Sequence, residues 1–112
     1  MDQIWLKEFP GAVTVCDERG KIIYMNDKSI NTFRNEGGEA LIGSNLMDCH
    51  PKEARKKIAA MLIERNKNVY TIEKNGIKKI IYQVPWFENG EFAGLVELSL
   101  EIPFEMQHFI RQ

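Results

Sequence analysis

Residues 13–26 read Val-Thr-Val-Cys-Asp-Glu-Arg-Gly-Lys-Ile-Ile-Tyr-Met-Asn: two short apolar strands joined by a tight polar turn and running into a helix. Val13 and Val15 alternate with Thr14 and Cys16, and Ile22 and Tyr24 alternate with Ile23 and Met25. That is the period of two expected of a half-buried strand. Asp17-Glu18-Arg19-Gly20 supplies the turn, with Gly20 free to take positive φ. Asn26 or Asp27 is a good N-cap for a helix that carries Ile30 and Phe33 three residues apart.

On the N-terminal side, residues 2–9 predict a short helix with Trp5 and Phe9 on one face, stopped by Pro10-Gly11. On the C-terminal side, the helix over 27–34 ends at the breaker cluster Asn35-Glu36-Gly37-Gly38. Residues 39–42 form one more helical turn closed by Gly43, and 44–50 are irregular. Pro51 suits the first position of a long helix, where its missing N–H costs nothing. Ala54, Ile58, Met61 and Leu62 make that helix's buried stripe, and it runs to about Arg65.

The last third predicts three strands in a meander, 69–74, 79–87 and 91–102. Asn75-Gly76 and Glu88-Asn89-Gly90 are the turns, and Pro103 ends the last strand. Alternation puts Ile80, Tyr82, Val84 and Trp86 on one face. In the last strand it sets Phe92, Gly94, Val96, Leu98, Leu100 and Ile102 against Glu91, Ala93, Leu95, Glu97, Ser99 and Glu101.

The chain has 112 residues, 44% hydrophobic and 28% charged, which fits one ordinary globular domain. A net charge of −1 gives no basic footprint for nucleic acid. No apolar run approaches the roughly 20 residues of a membrane span, and the N-terminus lacks the features of a signal peptide. Two cysteines, Cys16 and Cys49, do not make a disulfide scaffold, so the expectation is a cytoplasmic chain with reduced thiols. No Ser-His-Asp order, P-loop or glycine-rich dinucleotide signature is present, and an enzyme is not expected.

The pattern Asp17-x-x-Gly20-x-Ile22-x-Tyr24-x-Asn26, followed by a helix ending in Phe33, resembles the opening of a PAS sensor domain. The element order β-β-α-α-α-β-β-β extends the resemblance over about residues 9–102. The fold it implies is α+β, a five-stranded antiparallel sheet with helices packed on one face. Residues 1–11 then form an N-terminal cap helix, 12–102 the domain, and 103–112 a tail or linker. The resemblance implies a bacterial-type sensory or signalling module. Such a module binds a small molecule or cofactor in its core and relays its state through a homodimer or a partner in trans. Two alternatives stand beside it: a ligand-free dimerisation module, and a haem-based gas or redox sensor.

The resemblance also nominates residues. Tyr24, Tyr82, Trp86 and Phe92, with Met47, Met61 and Leu62, are candidates to line a cavity, or else to fill the core, and Gly94 leaves room beside them. His50, at the start of the long helix, is the candidate haem ligand; its alternative is a capping or surface role. Light-oxygen-voltage members carry Gly-x-Asn-Cys at this place, but Gly43-Ser44-Asn45 is followed by Leu46, which disfavours a flavin–thiol adduct. Cys49, near a helix N-terminus, is a candidate redox thiol. Adjacent Cys49 and His50 are awkward as a metal site, and none is expected. Many PAS proteins make dimer contacts on the outer sheet face. Trp5 and Phe9 are expected to cover that face here, with Leu95 and Glu97 on it.

Overall fold

A computed structural model describes residues 4–112, the side chain of Cys49 apart. The elements are α1 (Ile4–Lys7), β1 (Ala12–Asp17), β2 (Ile22–Met25), α2 (Asp27–Thr32), α3 (Lys52–Glu64), β3 (Asn68–Lys74), β4 (Ile77–Glu88) and β5 (Glu91–Ile102). The first two residues of the expected N-terminal helix lie outside the described residues. Between α2 and α3 run 3-10 turns at Arg34–Glu36, Gly38–Leu41 and Leu46–Cys49. The expected middle helix is the second of these turns. Gly37 at φ 129° and Gly43 at φ 96° bracket it and leave no room for α-helical propagation.

The strands form one antiparallel sheet in the order β2-β1-β5-β4-β3. Asn26 joins its first elements. Its Oδ1 accepts from the N–H groups of Ser29 (3.0 Å) and Val13 (2.9 Å). Its Nδ2 donates to the carbonyls of Gly11 (2.8 Å) and Leu6 (3.1 Å). An asparagine can therefore sit 1% exposed without an unpaired polar atom, capping α2 while fixing β1 and the end of α1.

Which side of the sheet carries the helices follows from register. Thr14 of β1 meets Ser29 of α2 (Oγ1–Oγ 2.5 Å) and pairs with Glu97; Cys16 pairs with Leu95. Cys16 and Leu95 share the buried cluster with Ile58 and Met61 of α3. The helix side therefore holds Thr14, Cys16, Leu95 and Glu97, and by pairing Gln83 and Ile81. Val15, Val96, Leu98, Leu100, Tyr82 and Val84 face away.

This corrects the expected faces. Leu95 and Glu97 were expected outside and lie under the helices, while Tyr82 and Trp86 were expected inside and lie on the open face. Alternation marks two faces but does not say which one the helices cover. Here the open face carries the bulkier aliphatic row, and the covered face includes a hydrogen-bonded polar set.

Two bulges add a second correction. Opposite β1, Val15 pairs with Tyr24 and Cys16 with Ile22, leaving Ile23 extra. Ile22 and Met25 are then both buried while Ile23 is exposed. Opposite β4, Trp86 pairs with Gly94 and Phe87 with Phe92, leaving Ala93 extra. Phe92 and Leu95, of opposite parity in sequence, both reach the core.

Candidate functional site

Between α3 and the helix-facing side of the sheet lies a cleft of about 340 Å³. His50, Ala54, Lys57 and Ile58 line it from the helical side, and Asn68, Tyr70 and Gln83 from the sheet. On its sheet side Asn68 and Gln83 belong to a chain of side chains across three strands, whose third member, Glu97, is not part of the lining. Asn68 Nδ2 donates to Gln83 Oε1 (3.0 Å), and Gln83 Nε2 donates to Glu97 Oε2 (2.6 Å). The geometry follows from pairing, because Asn68 stands opposite Gln83 and Gln83 opposite Glu97. Gln83 is buried and Glu97 half-buried. Burial, and then the Glu97 charge, push the Tyr70 phenol above its ordinary value.

His50 stands at the edge of this cleft, half-buried. Its Nδ1 lies 2.9 Å from the carbonyl oxygen of Leu46, a bond it makes by donating. The ring does not cap α3, whose N-cap is Pro51. Among the described residues no group of three or more His, Cys, Asp or Glu side chains is placed to hold a metal ion. The fit to haem rests on His50 alone, since the sheet side of the cleft presents the Asn68 and Gln83 amides rather than an apolar slot.

The other nominated residues are placed as follows. Met61 is in the core, and Met47 and Leu62 pack against it, so these three fill space beside the cleft instead of lining it. Phe92 packs on the same cluster, beneath the Arg65 guanidinium at 4.7 Å. It borders a separate, more exposed groove with Glu18, Glu88 and Glu91. Tyr24 borders a shallow groove with Ile4 and Met25 on the far side of the molecule.

Gly94 leaves no room for a ligand, because a Cβ there would run into the backbone of Cys16 and Asp17. Its φ of 146° belongs to the region that favours glycine. Trp5 is exposed and meets Phe9 edge to face at 6.0 Å. Phe9, two residues beyond α1, and Leu100 close over Gly11. The Cys49 side chain lies outside the described residues.

The cleft's polar floor escaped the sequence reading, although it left a signal. Gln83 interrupts the apolar run Ile80-Ile81-Tyr82-Gln83-Val84, and Glu97 interrupts Leu95-Val96-Glu97-Leu98. A polar residue inside such runs needs a partner, and each is the other's.

Comparison with known proteins gives the architecture a context. No family model matches the chain, and no curated protein matches it. Solved structures do. The PAS domain of BvgS from Bordetella pertussis superposes with a TM-score of 0.64 at 18% identity, covering 90% of this chain and 83% of that one. The Aer2 receptor of Vibrio cholerae, described as a dual PAS-haem oxygen sensor, gives 0.60 at 13%, covering 83% and 95%. VqmA, solved bound to DPO, gives 0.65 at 14%, covering 88% of this chain and 56% of that one.

Proposed function

We propose that this chain, whose fold is the PAS fold, is a sensory module that takes a small polar molecule in the cleft between α3 and the sheet. The Asn68–Gln83–Glu97 chain carries this reading. Directional donors and acceptors at the base of a concavity that Ile58 lines on the opposite side suit a small-molecule site. The role in this reading is binding and relay. Relay works by population shift. A ligand that prefers one packing of α3 against the sheet biases that packing, and one with equal affinity for both transmits nothing.

The relay surface in this reading is the open sheet face. Tyr82, Val84, Val96, Leu98 and Leu100 are half-buried there, flanked by Val69 at 42% exposed. A second copy or a signalling partner covering this row would bury a contiguous apolar patch. In this reading the interface lies on these residues rather than on Leu95 and Glu97, with Phe9 beside Leu100 at its margin. No helix among the described residues is long and apolar enough to cross a membrane.

Native mass spectrometry of the purified protein, with an absorption spectrum of the same sample, tests the reading. The expected result is a colourless protein carrying, or taking up from a metabolite library, a small additional mass that Gln83→Leu abolishes. A Soret band removed by His50→Ala would transfer the site to haem. A bare mass unchanged by every compound would leave a ligand-free interaction module.

A further inference from the structure

Asn68 on the edge strand β3 and Gln83 on β4 both line the cleft, and each carries an amide that can offer either its oxygen or its nitrogen. Which end each offers is settled outside the cleft. Glu97, on β5 and not part of the lining, accepts from Gln83 Nε2 at 2.6 Å. A carboxylate has no hydrogen to give, so Gln83 turns its Nε2 toward β5 and its Oε1 toward β3. Gln83 Oε1 then takes a hydrogen from Asn68 Nδ2 at 3.0 Å. That bond is the one the Asn68 side chain makes, and it leaves Oδ1 as the open end of the chain. Among the described residues no buried side-chain oxygen or nitrogen lacks a partner, so Asn68 Oδ1 is an oxygen that solvent reaches.

An amide that donates through its nitrogen becomes a better acceptor at its oxygen, so the Glu97 charge is felt two side chains away at Asn68 Oδ1. Of the other lining side chains, Lys57 can only donate, and the Tyr70 hydroxyl can turn either way. The Asn68 oxygen, by contrast, is held in one sense by a carboxylate it does not touch. A molecule entering the cleft displaces water from that oxygen. If it brings no hydrogen of its own, the lost bond is not replaced.

We infer that Glu97 is a positioning residue for specificity: through the Gln83 and Asn68 amides it presents a carbonyl oxygen to the cleft, which thereby selects small molecules carrying a neutral N–H or O–H donor. The inference rests on the reading of the cleft as a ligand site. Lys57 in the same lining disfavours a cationic donor, and Ile58 and Ala54 on the helical side suit the apolar part of the molecule. Glu97 acts without touching the ligand, by deciding which end of an amide the ligand meets.

Two uncharged rings of one size test this: pyrrole, which carries an N–H donor, and furan, which carries none. Each is titrated at pH 7 against the full chain, with the side-chain amide resonances of Asn68 and Gln83 followed by 1H–15N NMR. The expected result is about a tenfold preference for pyrrole, the worth of one hydrogen bond, with shifts centred on Asn68. Glu97→Gln lets the chain of amides reverse, because the substituted side chain can donate as well as accept. It is expected to erase the preference while furan binds no more weakly than to the parent; a residue that only supported the fold would weaken both rings alike. Asn68→Leu removes the acceptor itself and should also erase the preference, read at the Gln83 amide. Equal or tighter binding of furan by the parent, or a pyrrole preference that survives either substitution, overturns the inference and leaves the cleft a ligand site of other chemistry. Failure of both rings to shift either amide counts against the inference and the ligand-site reading together.

Discussion

Trp86 Nε1 donates to the carbonyl oxygen of Cys16 at 3.0 Å, reaching from β4 to β1 across the intervening β5. The residue it crosses is Gly94, which pairs with Trp86 on one side and Asp17 on the other. An indole can span a strand in this way only where that strand has no side chain to raise it. The glycine, the bulge at Ala93 and the tryptophan thus form one device that holds three strands together.

Gly94→Ala is expected to destabilise the chain by about 3 kcal/mol or more, because the new methyl meets backbone rather than a movable side chain and φ is unfavourable. Trp86→Phe keeps most of the ring and loses one hydrogen bond, for about 1 kcal/mol. Urea denaturation of both variants checks the ranking. A Gly94→Ala chain as stable as the parent would mean that β1 and β5 are less closely apposed than described.

Replacing Asn26 by alanine removes four hydrogen bonds at a buried site, including the cap of α2. The expected loss is about 3 kcal/mol, with Asn26→Asp no better, since two carbonyls would then face an acceptor. Thermal unfolding followed by circular dichroism measures it. A shift of the midpoint by only a degree or two would show that the four bonds are readily replaced by water.

Burial, foremost, raises the Cys16 thiol above its ordinary value of 9.0. The folded state then holds a proton that the unfolded chain releases more easily. The thiol's contribution to stability is therefore present in full below about pH 9 and declines as pH rises above the unfolded value. Tyr70 shifts in the same direction and adds to the decline more weakly, being more exposed. Urea midpoints between pH 7.5 and 10.5 should fall for the parent chain and fall less steeply for Cys16→Ala. Parallel slopes would assign the alkaline loss to other groups.

The open sheet face is expected to mediate self-association. Tyr82→Lys places a charge in the middle of the row without touching the helix side, and light scattering should register a dimer becoming a monomer. A dimer unaffected by Tyr82→Lys, and likewise by Leu98→Lys, would put the contact elsewhere.

The sequence was most legible where physics is local. Asp17 and Gly20 predicted the first turn, Asn26 the helix cap, and Asn75-Gly76 the hairpin, and each is observed. Strand parity failed at Ile23 and Ala93, because a bulge is a tertiary accommodation that leaves no mark in an alternating pattern. The choice of covered face failed for a related reason. Both sides of β5 are partly apolar, and only the Thr14–Ser29 and Cys16–Leu95 relationships, made across long sequence separations, say where the helices lie. Of the nominated cleft residues His50 is observed there, whereas Asn68 and Gln83 come together only through the pairing of β3 with β4.

The Asn26 amide has a consequence for the N-terminal segment. Of its four bonds, those to Val13, Ser29 and Gly11 belong to the sheet and α2, and the one to Leu6 reaches α1. The Lys7–Asp27 pair that also fastens α1 is exposed on both sides and contributes little. Lifting α1 away therefore breaks one bond of the hub and leaves the other three in place, so the sheet and the start of α2 stay closed. The amide works as a detent: α1 can click out and back without melting what it rests on. In hydrogen exchange, the α1 amides should open through a low-energy local event, well separated from the slow exchange of β1 and β5.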